Sequence, residues 1–157
     1  VKEEVMLDAA KYVIDMIYTD TLREEEGGTY GAGVSTGMQK YPEERAVIQV
    51  YFDTNPESAD KLRELAVKGI NDLMTNGPTE EQMTRTVENF KKNIPESRIT
   101  NGWWLSALQM YYNYDGLDYD KEYEAAVNEI SAENIQAALK AVLDQDNFIE
   151  IMMSPEK

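Results

Sequence analysis

Only three stretches of this chain have the residues of a β-strand, and amphipathic stretches several turns long fill most of what lies between. Over residues 1–26, Met6, Ala9, Ala10, Val13, Ile14, Ile17 and Leu22 recur at steps of three and four, which predicts one helix. Gly27-Gly28 closes it, because the first glycine can take the left-handed conformation that ends a last turn. Residues 29–37 alternate instead. Tyr30, Ala32, Val34 and Thr36 share one face, while Gly31, Gly33, Ser35 and Gly37 leave the other nearly bare. Residues 46–53 carry Val47, Ile48, Val50, Tyr51 and Phe52, and two neighbouring strands with a short connection predict a hairpin.

Asn55-Pro56 predicts the cap and first-turn proline of a second long helix, stopped by Gly77-Pro78. Thr79 and Gln82 have the spacing of a capping box for a third, in which Pro95 predicts a break or bend. Further helices are expected at about 97–114, through Tyr123 to Ile130, and after a cap at Ser131, with 148–153 as a closing strand. This order lacks the strict strand–helix alternation of a doubly wound sheet. The expected class is α+β: a two-layer single domain over residues 1–157, with helices packed on one face of a mainly antiparallel sheet. Three strands under six helices make a short sheet, so the first strand or strands are expected upstream of residue 1, in a longer protein of which this chain is a fragment.

Charge and two missing residue types narrow the function. With 30 acidic and 15 basic residues the net charge is −15, which repels phosphate backbones and anionic headgroups; no nucleic acid or membrane contact is expected. The chain has no Cys and no His, so thiolate chemistry, a Ser-His-Asp arrangement and histidine zinc motifs are excluded from it. Hydrolytic chemistry would have to take its metal from elsewhere.

The stretch Leu22-Arg23-Glu24-Glu25-Glu26-Gly27-Gly28-Thr29-Tyr30 places a guanidinium and a phenol seven residues apart, where helix gives way to strand. Two readings stand side by side. In one, Arg23 complements the helix dipole, the glutamates are solvated and Tyr30 belongs to the core. In the other the corner is a site, and three acidic residues opposing the dipole favour that reading.

Leu-Arg-Glu-x-x-Gly-x-x-Tyr after a helix, running into a small-residue strand, resembles the C-terminal half of the insulinase/pitrilysin zinc metallopeptidases, the processing peptidases included. The likeness continues through Ile48 to Phe52, Asp53-Thr54-Asn55-Pro56, Gly77-Pro78-Thr79-Glu80-Glu81 and Ile130-Ser131-Ala132-Glu133-Asn134-Ile135, in the family's order. It departs at Gly28, where the family usually has an apolar residue, and at Pro95-Glu96. The resemblance implies a half-domain without zinc, paired with a homologous half that carries zinc on H-x-x-E-H, the two closing around a peptide substrate. It also implies that Arg23 and Tyr30 hydrogen-bond the substrate near its scissile carbonyl. The chain would then be the substrate-binding and transition-state-stabilising half of a zinc-dependent metalloendopeptidase, inactive without its partner. A non-catalytic subunit of the same fold, binding peptides or holding an assembly together, is the alternative, and an acidic interaction module of no enzyme family is a third.

Three other features are weighed. Asp118, Asp120, Glu122 and Glu129 fit positions of a calcium loop, but Tyr123 stands where that loop needs glycine. Trp103 and Trp104 point about 100° apart on a helix, so one is expected in the core and the other at an interface. The bare face of the first strand leaves room either for a closely packed helix or for a peptide; Arg45 is expected in solvent.

Overall fold

The computed structural model describes residues 1–25 (23–25 by their backbone), 29, 31–144 and 147–154. Helix α1 (Lys2–Tyr18) runs through the middle, with Val5, Met6, Leu7, Ala9, Ala10, Val13, Ile14, Met16 and Tyr18 all buried. It packs on the sheet along one side and on four further helices along the others. The buried residues of such a helix cannot be confined to one stripe, and these are not. A tether fixes its end: the Tyr18 hydroxyl donates to the Ala66 carbonyl at 2.7 Å, and burial raises the phenol's pKa.

The predicted single helix over 1–26 is two elements. After Tyr18 the backbone widens into a π-helical segment, Thr19–Glu25. The Thr19 and Thr21 hydroxyls donate to the carbonyls of Asp15 and Ile17, at 2.8 and 2.7 Å, within this change of winding. Such side-chain bonds compete with the regular ladder and favour its distortion.

Strands β1 (Ala32–Gln39) and β2 (Arg45–Phe52) form an antiparallel hairpin in which Val34 faces Val50 and Thr36 faces Ile48. Val34 is buried, and Ala32, Ile48, Val50 and Phe52 pack against the core. Among the described residues no helix covers the bare outer face. Tyr51, opposite Gly33, lays its ring there; a Cβ on Gly33 would lie 2.2 Å from Tyr51 Cζ. Helix α2 (Ala59–Asn76) begins three residues later than expected. Asn55 to Ser58 instead makes a turn, with the Ser58 N–H donating to the Asn55 carbonyl at 3.0 Å; proline suits the second position of such a turn as well as a helix start. Gly77 ends α2 at φ 76°, as predicted.

Helix α3 (Glu80–Arg98) opens on a complete capping box: the Thr79 hydroxyl accepts from the Gln82 N–H at 3.2 Å, and the Thr79 N–H donates to Gln82 Oε1 at 2.9 Å. Pro95 does not break it. The proline stands on the exposed side one turn from the helix end, while Phe90 and Ile94 are buried beneath, so packing outweighs the lost backbone bond. Helices α4 (Asn101–Asn113), α5 (Tyr119–Asn128) and α6 (Ala132–Leu143) follow, capped by Thr100, Asp118 and Ser131. The calcium-loop spacing has a structural cause. Asp118 caps α5, and Asp120 accepts from Arg98 Nε and Nη2 at 2.8 and 2.9 Å and from Trp103 Nε1 at 2.8 Å.

Residues 148–153 do not form the predicted strand. The described residues contain one sheet, the β1–β2 hairpin, and the segment pairs with neither strand. A strand forms only where a neighbour exchanges backbone bonds with it. Here Phe148, Ile149, Ile151 and Met153 are exposed, and Glu150 is tied to Arg63 of α2 at 3.0 Å. The α+β class stands, with two strands in place of three.

Hydrogen bonding from Arg98 holds the Asp120 carboxyl below the ordinary value of 3.8, so Asp120 stabilises the fold above that pH and loses the contribution as pH falls through its lowered value. Thermal unfolding between pH 6 and pH 2 is expected to show the unfolding temperature of the wild type falling more steeply below pH 3.8 than that of Asp120→Asn, with the variant the less stable at pH 6.

Candidate functional site

The corner between α1 and β1 is built from its flanks. On the helix side the π segment packs against α2 and β1, and Leu22 is fully buried, so the residue before Arg23 is a hydrophobic anchor. On the strand side Thr29 is buried and forms a local clasp. Its hydroxyl accepts from the Gly31 N–H at 3.2 Å and lies 3.0 Å from the Gly31 carbonyl oxygen. Gly31 itself borders open space: among the described residues, its chain neighbours aside, no atom lies within 4 Å of where a Cβ would stand.

The backbone of Arg23 lies in the π segment; its side chain, and Tyr30 as a whole, lie outside the described residues. What the structure establishes is that the residues next to each, Leu22 and Thr29, are held in the protein interior. The wider winding of 19–25 was not read from the sequence, although Thr19 and Thr21, two threonines each able to bond a carbonyl four residues back, are a signal for it. A cleft of about 190 Å³ lies beside the first residues of the segment, lined by Tyr12, Asp15, Met16, Thr19, Asp20 and Arg85. A larger one of about 440 Å³ lies between α2 and the terminal segment, lined by residues that include Arg63, Val67, Phe148 and Glu150. Neither is lined by Leu22, Thr29 or Gly31. Among the described residues no three acidic side chains converge as metal ligands would. Arg45 is exposed, as expected, and pairs with Glu43 at 2.7 Å.

The family model described as the peptidase M16 inactive domain matches residues 7–90, more than half of the sequence and the whole of this corner. The chain belongs to the M16 peptidase family. Its place there is the inactive C-terminal domain, in agreement with the insulinase/pitrilysin resemblance. Among solved structures, the fold matches that of the periplasmic protease PqqL from Escherichia coli with a TM-score of 0.76 at 18% identity, over 92% of this chain and 16% of that one. A mutant of the ferredoxin protease FusC, solved in complex with Arabidopsis ferredoxin, gives 0.74 at 18% identity, over 93% and 16%. A protease from Helicobacter pylori gives 0.71 at 13% identity, over 90% and 34%. These likenesses establish a shared fold, and the chain spans between about a sixth and a third of the length of those chains. A search of curated proteins gives no significant match.

If Leu22 anchors the corner, shortening it opens a cavity at the base of the π segment. Leu22→Ala is expected to lower the unfolding free energy by about 2–5 kcal/mol, measured by urea denaturation. A loss below about 1 kcal/mol would show that the segment is held by other contacts.

Proposed function

We propose that this chain is the substrate-binding half of a zinc-dependent metalloendopeptidase, in which Arg23 and Tyr30 donate hydrogen bonds to the carbonyl of the bound peptide. The observation that carries this reading is the family match over residues 7–90, which takes in Arg23, Tyr30 and the buried neighbours that flank them. Residues 1–157 would then be one half-domain of a larger enzyme, which accords with the small share of each structural neighbour that the chain covers.

The donor set of this chain does not suit zinc, since it offers neither imidazole nor thiolate. The metal is assigned, as the family resemblance implies, to the homologous half, and the role proposed here is to hold the peptide and stabilise charge. A guanidinium and a phenol are both strong donors, and donors aimed at an oxygen that gains charge in the transition state lower the barrier more than they strengthen ground-state binding. The buried neighbours Leu22 and Thr29 support that reading, because donors borne on fixed backbone need little reorganisation as charge develops.

In the enzyme reconstituted with its zinc-bearing half, Tyr30→Phe and Arg23→Gln are each expected to lower kcat by about 100- to 1000-fold. Zinc content, measured by elemental analysis, should stay the same. Unchanged turnover in both variants would remove the catalytic role and leave the chain as a peptide-binding or assembly subunit.

A further inference from the structure

The last residue of α1 is held twice, once by its side chain and once by its backbone. The buried ring of Tyr18 lies against α2, where its hydroxyl donates to the Ala66 carbonyl at 2.7 Å. Gly69, one turn further along α2, supplies the room: a Cβ there would lie 3.2 Å from Tyr18 Cε1 and 3.3 Å from Ile17 Cγ2. Ala66 and Gly69 thus make a notch of small residues on one face of α2, and the ring fills it. At the same residue the winding changes. The π segment opens at Thr19, and its step of five residues directs the backbone N–H of Arg23 to the carbonyl of Tyr18.

The threonine bonds of the segment do not suffice for this winding. Thr84 and Thr86 of α3 donate to the carbonyls four residues back at 3.0 and 2.7 Å, the same bond that Thr19 and Thr21 make, and α3 stays regular around them. What residues 19–25 have in addition is the tether at Tyr18, which binds the start of the segment to a second helix.

We propose that Tyr18 is a positioning residue for Arg23, which rests on the role given to Arg23 above: the ring seated on Ala66 and Gly69, and the hydroxyl bonded to α2, fix the turn that carries the Arg23 backbone. Tyr18 itself touches neither substrate nor metal in this reading. It acts through the backbone of the residue five positions on. A donor to developing charge works only when it is closely placed, and a misplacement of about 1 Å costs on the order of 100-fold in rate. Removing one hydroxyl loosens the turn rather than displacing it, so a smaller loss is expected. Phenylalanine keeps the buried ring, and the bond to Ala66 is what the exchange removes.

The test is a mutant cycle in the enzyme reconstituted with its zinc-bearing half: wild type, Tyr18→Phe, Arg23→Gln and the two together. Tyr18→Phe is expected to lower kcat by about 10-fold, with KM within about twofold of wild type and zinc content the same. In the Arg23→Gln background it is expected to lower kcat no further, because a residue that acts through Arg23 has nothing left to position. Thr84→Val, which removes a like hydroxyl bond from the exposed side of α3, is expected to leave kcat unchanged. If Tyr18→Phe loses its far-UV circular dichroism, Gly69→Ala, whose Cβ crowds the ring, takes its place in the cycle with the same outcomes deciding. An equal fractional loss in both backgrounds, a change confined to KM, or an equal loss in Thr84→Val would overturn the inference, since general loosening of the fold produces each of them. Wild-type kcat in Tyr18→Phe beside a lowered kcat in Arg23→Gln would overturn it and leave the proposed function standing. Wild-type kcat in Arg23→Gln would sink both the positioning role and the catalytic role of Arg23.

Discussion

The burial of α1 on nearly every side is the constraint from which the rest of the structure follows. A helix with Val5, Ala9, Ala10, Val13 and Ile14 at or below 1% exposure cannot lie on a surface; it must be enclosed. The hairpin encloses it along one side and α2, α3, α5 and α6 along the others. Each large apolar side chain removed from water there contributes about 1.5–3 kcal/mol, which is large against the marginal stability of a domain. Alanines at 9 and 10 matter for a different reason, since small side chains let neighbouring elements come close. The end of this helix also sets where the π segment begins, so Leu22 and the backbone of Arg23 inherit their position from the core.

A second organising contact works at the opposite end. Arg98, in the last turn of α3, bonds Asp120 with two nitrogens and Glu124 with one, and Trp103 donates to the same Asp120. Three helices meet in that network. Burial raises the pKa of Tyr119 to about 12 and raises that of Tyr123, and the carboxylates of Glu4 and Asp8 on α1 add to both shifts. The inner side of α4 is therefore held by Trp103, which donates to Asp120 and meets Tyr119 tilted and Tyr123 edge-on, while on its outer side the Trp104 indole donates to the Arg98 carbonyl at 2.8 Å. An exposed ion pair alone contributes little; forked geometry with an indole donor on the same carboxylate makes this one a positioning device.

Much of the fold was legible because local chemistry and global packing agree. The capping box at Thr79, the stop at Gly77 and the cap at Ser131 each follow from backbone groups that need partners, and the strand faces follow from alternation. What was not legible depends on neighbours distant in sequence. Pro95 is tolerated because Phe90 and Ile94 hold the helix from below, which no local rule contains. Residues 148–153 have every residue preference of a strand and lack one because a strand is a property of pairs. The site was legible only in part: spacing alone left Arg23 and Tyr30 divided between dipole, core and catalysis, and it was the order of motifs along the whole chain that gave the corner a meaning.

The change of winding at Thr19 bears on that meaning. A π turn has poorer packing and bonding than an α turn, so seven residues of it persist only where other contacts outweigh the difference. Here the burial of Leu22 and the tether from Tyr18 to Ala66 supply them. Had the helix continued with regular winding, the backbone direction after Tyr18 would differ by an amount that grows along the segment. Local and distant contacts thus act together on residues 19–25: Thr19 and Thr21 favour the wider winding, and the core holds it.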